Sequence, residues 1–214
     1  MGKLIISIDG SASSGKRRIA SFIAKKYNLF HLDSGILYRR LASKIIKDKV
    51  DLNIISNLNK YIKSLQHISC RNNINLRKEI ISKTSSEIAI YPFVRSFINK
   101  QQKIIVYEKF KTHEGCVIDG RDIGSKVFKE AKIKLFIEVD IKIRAKRRHK
   151  QLIEMGEKSI YAQILKDIQL RDKLDKNRKS SPLIIPKGSI IINNSFNFKN
   201  TTKQINKTLN NLKK

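Results

Sequence analysis

Short apolar runs alternating with helical patterns predict an α/β protein, a mostly parallel sheet core flanked by helices. Three features carry that reading. An isoleucine-rich run at 3–8 leads directly into the turn Gly10-Ser11-Ala12-Ser13-Ser14-Gly15-Lys16. A helical pattern follows it, with Ile19, Phe22, Ile23 and Tyr27 on one face. Further core-type runs at 116–118 and 133–139 sit between helical segments, and the first ends at Asp119-Gly120-Arg121-Asp122.

The remaining elements follow in order. A short strand at 30–32 ends at Asp33-Ser34-Gly35, and helices are expected at 37–47 and 54–65. Residues 67–76 alternate around Arg71-Asn72-Asn73 and predict a small hairpin. Segments 85–89 and 93–111 read as helical, interrupted at Pro92. Two basic helices are expected at 143–155 and 160–174, a last strand at 189–192 and a terminal helix at 201–212. The hairpin region and the basic helix pair then become insertions at the carboxyl edge of the sheet, where ligands bind in such folds.

The 214 residues, 40% hydrophobic and 30% charged, suit one globular domain with a sizeable core. No apolar run approaches the roughly 20 residues of a membrane span, and the N-terminus does not read as a signal peptide. Cys70 and Cys116 lie far apart, which excludes a disulfide framework or a metal cluster and makes the cytoplasm the expected location. The net charge of +28 admits two readings. One is a nucleic-acid partner. The other is codon usage: 33 Lys, 36 Ile and 16 Asn against 8 Ala is what an AT-rich genome encodes. The lysines are scattered rather than blocked, which favours the second. The 13 arginines are more informative, because they gather at 17–18, 39–40, 144–148 and 171–178.

Gly10-x-x-x-x-Gly15-Lys16, after a strand and before a helix, has the pattern of a phosphate-binding loop. Backbone N–H groups at a helix N-terminus would cradle phosphate oxygens, and Lys16 would reach the outer phosphates. The general pattern wants Ser or Thr after the lysine, as a Mg²⁺ ligand; here Arg17 and Arg18 follow.

From this loop onward the chain resembles the bacterial cytidylate kinases, a family of nucleoside monophosphate kinases. Five segments in order carry the resemblance: Ile8-Asp9-Gly10 with Gly15-Lys16; His31-Leu32-Asp33-Ser34-Gly35 with Tyr38-Arg39; Ser86 with Tyr91-Pro92-Phe93-Val94-Arg95; Ile118-Asp119-Gly120-Arg121-Asp122-Ile123-Gly124; and Arg171-Asp172-x-x-Asp175-x-x-Arg178 with Ser181-Pro182-Leu183. The resemblance implies a P-loop NTPase-type core in three parts, 1–34, 101–143 and 179–214. Between them it implies a monophosphate-binding lobe at 35–100 and a lid at 144–178. It also implies a monomer that moves the γ-phosphoryl group of ATP to CMP or dCMP with Mg²⁺, needing neither nucleic acid nor membrane.

Carried over residue by residue, Gly10, Ser11, Ala12, Ser13, Ser14, Gly15, Lys16, Arg17 and Arg18 would hold ATP. Lys16 would act in catalysis, and Asp33 would be an outer-sphere Mg²⁺ partner or loop orienter. Arg144, Arg147 and Arg148 would fold over ATP and neutralise the transferring group. Arg39, Arg121 and Arg178 match the positions that hold the acceptor phosphate, and Ser34 lies in the same acceptor set. Ser86, Arg95 and Asp122 match the base-reading positions, and their chemistry suits cytosine, an amino donor beside ring acceptors. Arg171 and Asp175 match sugar-contacting positions.

Two departures stand out. The family usually has Gly-Thr where this chain has Arg17-Arg18, and many members have Gly or Ala at Ser13. The two arginines could add phosphate contacts, block close approach or displace Mg²⁺. Two other readings therefore stay open at this point: a non-catalytic nucleotide- or nucleic-acid-binding protein, and a kinase for another monophosphate.

Overall fold

The computed structural model describes residues 3–210. Strand β1 (Leu4–Gly10) is followed by helix α1 (Lys16–Tyr27), β2 (Phe30–Asp33), α2 (Ser34–Lys47) and α3 (Ile55–Ser64). After a 3-10 turn (Ile74–Arg77) come α4 (Glu79–Ile88), α5 (Pro92–Lys109) and β3 (Gly115–Gly120). A π-helical turn (Ile123–Val127), β4 (Ile133–Glu138), α6 (Ile141–Glu154), α7 (Tyr161–Asn177), β5 (Ile190–Asn193) and α8 (Phe198–Asn210) complete the order. The expected α/β fold is present; the last two residues of the expected terminal helix, 211–212, lie outside the described residues.

The sheet runs β2-β3-β1-β4-β5. The pairs β1–β3, β1–β4 and β4–β5 are parallel. Register places Asp9 beside Gly120 and Gly10 beside Ile137, so β1, β3 and β4 end at one level. The loops leaving those three ends start from one edge, the ligand edge of an open parallel sheet.

The chain divides into two compact units. The first is built from the segments through His31 and from His113. Its core packs Ile6, Ile8, Leu135 and Ile137 of the sheet against Ile19 and Ile23 of α1 and Ile205 of α8. Each such side chain, fully buried, contributes roughly 1.5–3 kcal/mol. A smaller cluster, Ala145, Leu152, Ile164 and Ile168, joins α6 to α7. The second unit, Leu32–Thr112, has its own core of Leu37, Leu41, Leu58, Ile88, Val94 and Ile98.

One expected element is absent. Residues 65–73 form no strand, so the predicted hairpin is replaced by an extended segment and the 3-10 turn. Buried Gln101 supplies what a partner strand would have supplied. Its Nε2 donates to Gln66 O at 2.9 Å, and its Oε1 accepts from Ile68 N at 3.3 Å. Alternating polarity does not distinguish a ladder from a segment pinned by one carboxamide. Pro92 starts α5 rather than interrupting a helix, as suits a residue with no N–H to offer.

Candidate functional site

The loop after β1 depends on two glycines. Gly10 has φ +149°, and a Cβ there would lie 2.6 Å from Ile137 O. Gly15 has φ +84°, and a Cβ there would lie 2.5 Å from Asn194 Nδ2. Ser13 takes the left-handed conformation as well, with φ +58°. Helix α1 then starts with no side-chain cap and no acidic residue in its first turn. Its first N–H groups and its dipole thus favour an anion at the loop. Lys16 Nζ donates to Ser11 O at 2.7 Å and to Ser14 Oγ at 3.2 Å, curling the loop around its own ammonium. Burial, then the nearby Arg121 cation, pushes Lys16 well below the usual lysine range, while Asp119, Asp9 and Asp175 oppose that shift. A phosphate beside it would favour the charged form.

Beneath the loop, Asp9 is fully buried, and its two carboxylate oxygens accept from Ile123 N and Gly124 N, each at 2.7 Å. Burial pushes its carboxyl up to about 6 despite those bonds. Asp9 thus joins the start of the π-helical turn to β1, a role that Asp122 could have filled as a local cap. Asp122 is buried at the head of that turn but makes no side-chain capping bond.

Beyond β3 lies an arginine cluster. Arg121 Nε donates to Asp175 Oδ2 at 3.1 Å, and Arg178 Nη1 donates to Asp175 Oδ1 at 2.8 Å. Burial would push Asp175 up, but the cations of Arg121, Arg171 and Arg178 hold it below the usual carboxylate range. One carboxylate faces three guanidinium groups, leaving an excess of positive charge suited to a dianion.

The three arginines of α6 have different surroundings. Arg144 is buried and held by a bidentate pair with Asp172 at 3.0 and 2.6 Å, with a further bond to Ala12 O at 3.3 Å. It ties α6 and α7 to the phosphate loop. Arg147 Nη2 donates to Asn194 O at 2.7 Å, and its Nη1 lies 3.9 Å from where a Gly15 Cβ would stand. Arg148 Nη1 donates to Gln151 Oε1 at 2.9 Å. Of the two unexpected loop arginines, Arg18 lies with its guanidinium 3.9 Å above the Phe198 ring, and Arg17 is half-buried in the first turn of α1.

The other expected site residues belong to the second unit. Asp33 precedes α2 and pairs with Arg77 at 3.5 Å, and Ser34 is buried as the first residue of α2. Arg39 Nη1 donates to Leu76 O at 3.1 Å. Ser86 Oγ donates to Ser82 O at 3.1 Å within α4. Arg95 is buried, donates to Ala89 O at 3.2 Å and has its guanidinium 5.6 Å from the Tyr38 ring centre.

Sequence reading missed three contributors. Asp172 lies inside a quoted motif, yet only the fold shows it opposite Arg144. Asn194 has no motif; its Nδ2 donates to Ser14 O at 2.7 Å and its Oδ1 accepts from Thr201 at 2.7 Å. His31, quoted in the second motif but given no role there, has Nε2 2.7 Å from Asp119 Oδ1 and Nδ1 3.2 Å from Ser21 Oγ. Among the described residues no group of three or more His, Cys, Asp or Glu could hold a metal ion. None of the described helices is long and apolar enough to cross a membrane.

A family model described as cytidylate kinase matches residues 6–213. Proteins named cytidylate kinase from Rickettsia rickettsii (strain Sheila Smith) and Rickettsia canadensis (strain McKiel) are 38% and 39% identical to this chain. Both alignments span 190 residues, 89% of this chain and 84% of the relative. The crystal structure of TT1252 from Thermus thermophilus matches the fold with a TM-score of 0.50 at 12% identity, covering 99% of each chain. A match over almost the whole length, on a sheet whose strand ends carry the loop, Lys16 and the arginine cluster, means that the chain belongs to the cytidylate kinase family.

Proposed function

We propose that this chain transfers the γ-phosphoryl group of ATP to CMP or dCMP, giving CDP or dCDP and ADP. The observation that carries the reading is the loop 10–16, wrapped around Lys16 at an uncapped helix start, in a chain of this family. An oxygen of the acceptor phosphate forms the new bond to the γ-phosphorus as the bridging bond to the β-phosphate breaks. The electron pair leaves with ADP, and no covalent enzyme intermediate is needed. Positioning and charge stabilisation then supply most of the rate.

The loop residues and Lys16 hold the donor phosphates, with Arg147 and Arg148 contributing charge from α6. Arg144 positions the loop through Ala12. Arg39, Arg121 and Arg178 bind the acceptor phosphate; Ser34 belongs to the same set. Ser86, Arg95 and Asp122 read the base, and Arg171 and Asp175 the sugar. That Asp175 is held ionised by its arginines suits an acceptor of a sugar hydroxyl bond. The carboxylates that act on Lys16 are already engaged: Asp9 by amides, Asp119 by His31, Asp175 by arginines. Such a donor set fits a Mg²⁺ that arrives on ATP and keeps most of its waters, with Asp33 as an outer-sphere partner. When bound, the ion would neutralise charge on the outer phosphates. In this reading the protein acts as a monomer in the cytoplasm, with nucleotides as its partners.

The test is ADP formation from ATP and Mg²⁺ with CMP, dCMP, UMP, AMP or GMP as acceptor. Turnover concentrated on cytidylates is expected, since a site built to accept from the cytosine amino group leaves its polar groups unpaired with uracil. UMP turnover equal to that of CMP would overturn the base assignment, and no turnover with any acceptor would overturn the kinase reading.

A further inference from the structure

The residue pair after Lys16 is unusual for a phosphate loop, and the structure places one member in a defined setting. Arg18 projects from the first turn of α1, and its guanidinium lies 3.9 Å over the ring of Phe198 at the start of α8. The ring attracts the cation and restricts where it sits. Beside Gly15, Arg147 is anchored through Nη2 to Asn194 O, and its Nη1 lies 3.9 Å from where a Gly15 Cβ would stand. Its Nη1 is buried and has no hydrogen-bond partner among the described residues. A buried cationic donor without an acceptor is costly. Burial, and then the charge of Arg18, lowers the pKa of Arg147, so the two guanidinium groups act on one another with the same sign. Asn194 Nδ2, donating to Ser14 O, completes this side of the loop. A helix with an uncapped start and no acid in its first turn therefore carries Arg18 in that turn, close enough to act on Arg147, whose unsatisfied donor lies beside Gly15.

We infer that Arg18 and Arg147 form a guanidinium pair that binds a phosphate of the donor polyphosphate, in place of the hydroxyl that ordinarily follows the loop lysine. Phe198 is the positioning residue for Arg18, and the Asn194 carbonyl is that for Arg147. An oxygen placed between them would satisfy Arg147 Nη1 and remove the repulsion in one step. The pair recognises phosphate charge rather than a base edge, so it sets affinity for the donor by its phosphates. This rests on the donor-loop assignment above.

The probe is inorganic tripolyphosphate, with its binding to the intact chain measured by calorimetry at two salt concentrations. That readout does not require turnover, so it separates failure of the pair from failure of the kinase reading. Arg18→Ala and Arg147→Ala are each expected to weaken binding by about tenfold or more, the scale of one charge-assisted hydrogen bond. The double variant should lose less than the product of the two, because the partners share one anion. Arg18→Lys should recover part of the binding, and Phe198→Leu should weaken it about threefold, with circular dichroism confirming that each variant is folded. The KM for ATP should rise with these losses while the KM for CMP stays level. Unchanged tripolyphosphate binding in Arg18→Ala, or tighter binding in Arg18→Thr, would overturn the inference and mark Arg18 as an obstruction.

Discussion

Two carboxylates, Asp9 fully buried beneath the phosphate loop and Asp175 partly buried in the arginine cluster, meet desolvation in opposite ways. Asp9 is hydrogen-bonded by neutral donors, the N–H groups of Ile123 and Gly124, and burial raises its carboxyl to about 6. Asp175 is bonded to Arg121 and Arg178, and its carboxyl falls. Both act on the same buried ammonium, Lys16. The difference separates two tasks. Amides fix geometry without adding charge, so Asp9 holds the π-helical turn to β1. Guanidinium groups fix geometry and leave a surplus of charge, so the second region is prepared for an anionic ligand.

The largest effect is expected where both regions converge. Lys16→Ala should lower kcat for ATP and CMP by about 10²–10³-fold, the scale of losing one preorganised donor at the reacting phosphates. Rapid-quench single turnovers would read it, and a loss below tenfold would detach Lys16 from the chemistry.

Asp175→Ala removes the carboxylate and leaves Arg121 and Arg178 facing each other. A loss of about 1–3 kcal/mol in denaturant unfolding is expected, the penalty of breaking a partly buried pair from one side. Because the folded pKa lies below the unfolded value of 3.8, this stabilisation is present above that value and lost as pH falls through the folded pKa. Retention of full stability at neutral pH would show that the arginines do not need their carboxylate.

Asp9 should behave with the opposite sign. Its folded pKa of about 6 exceeds the unfolded value of 3.8, so the folded state binds the extra proton between them. Its contribution is fully present below 3.8 and lost as pH rises through 6, a change of about 2–3 kcal/mol. Urea midpoints taken from pH 4 to 7 should show this fall relative to Asp9→Asn, and parallel curves would erase the contrast with Asp175.

The smallest expected effect is local. Ser13 holds φ +58° in the loop. Ser13→Gly should stabilise the chain by about 0.5 kcal/mol, because the left-handed strain removed exceeds the unfolded-state freedom gained. A thermal shift of the opposite sign would show that the hydroxyl contributes more than the backbone costs.

Much of this arrangement was legible in the sequence because it is local. The run 3–8, the glycine spacing and the helical face after Lys16 determine β1, the loop and α1 with little help from the rest of the chain. The arginines of the cluster were readable as motif members. What joins them was not. Asp9 bonds residues 114 and 115 positions away, Asn194 lies 180 positions from Ser14, and Gln101 fills the place of a strand partner. Each is a single polar side chain whose partner is chosen by topology, so no periodic pattern announces it. The charge of Arg18 was equally visible, but its placement over Phe198 depends on α8 packing back against α1.

The bond from Asn194 to Ser14 has a consequence for synthesis. On the ribosome the turn emerges 180 residues before the carboxamide that braces it. Until α8 docks and Thr201 orients that carboxamide, the turn lacks one wall and Arg147 lacks its anchor. Nucleotide capture is thereby deferred until α8 has been made, and a product shortened before residue 194 would hold Lys16 without the brace around it.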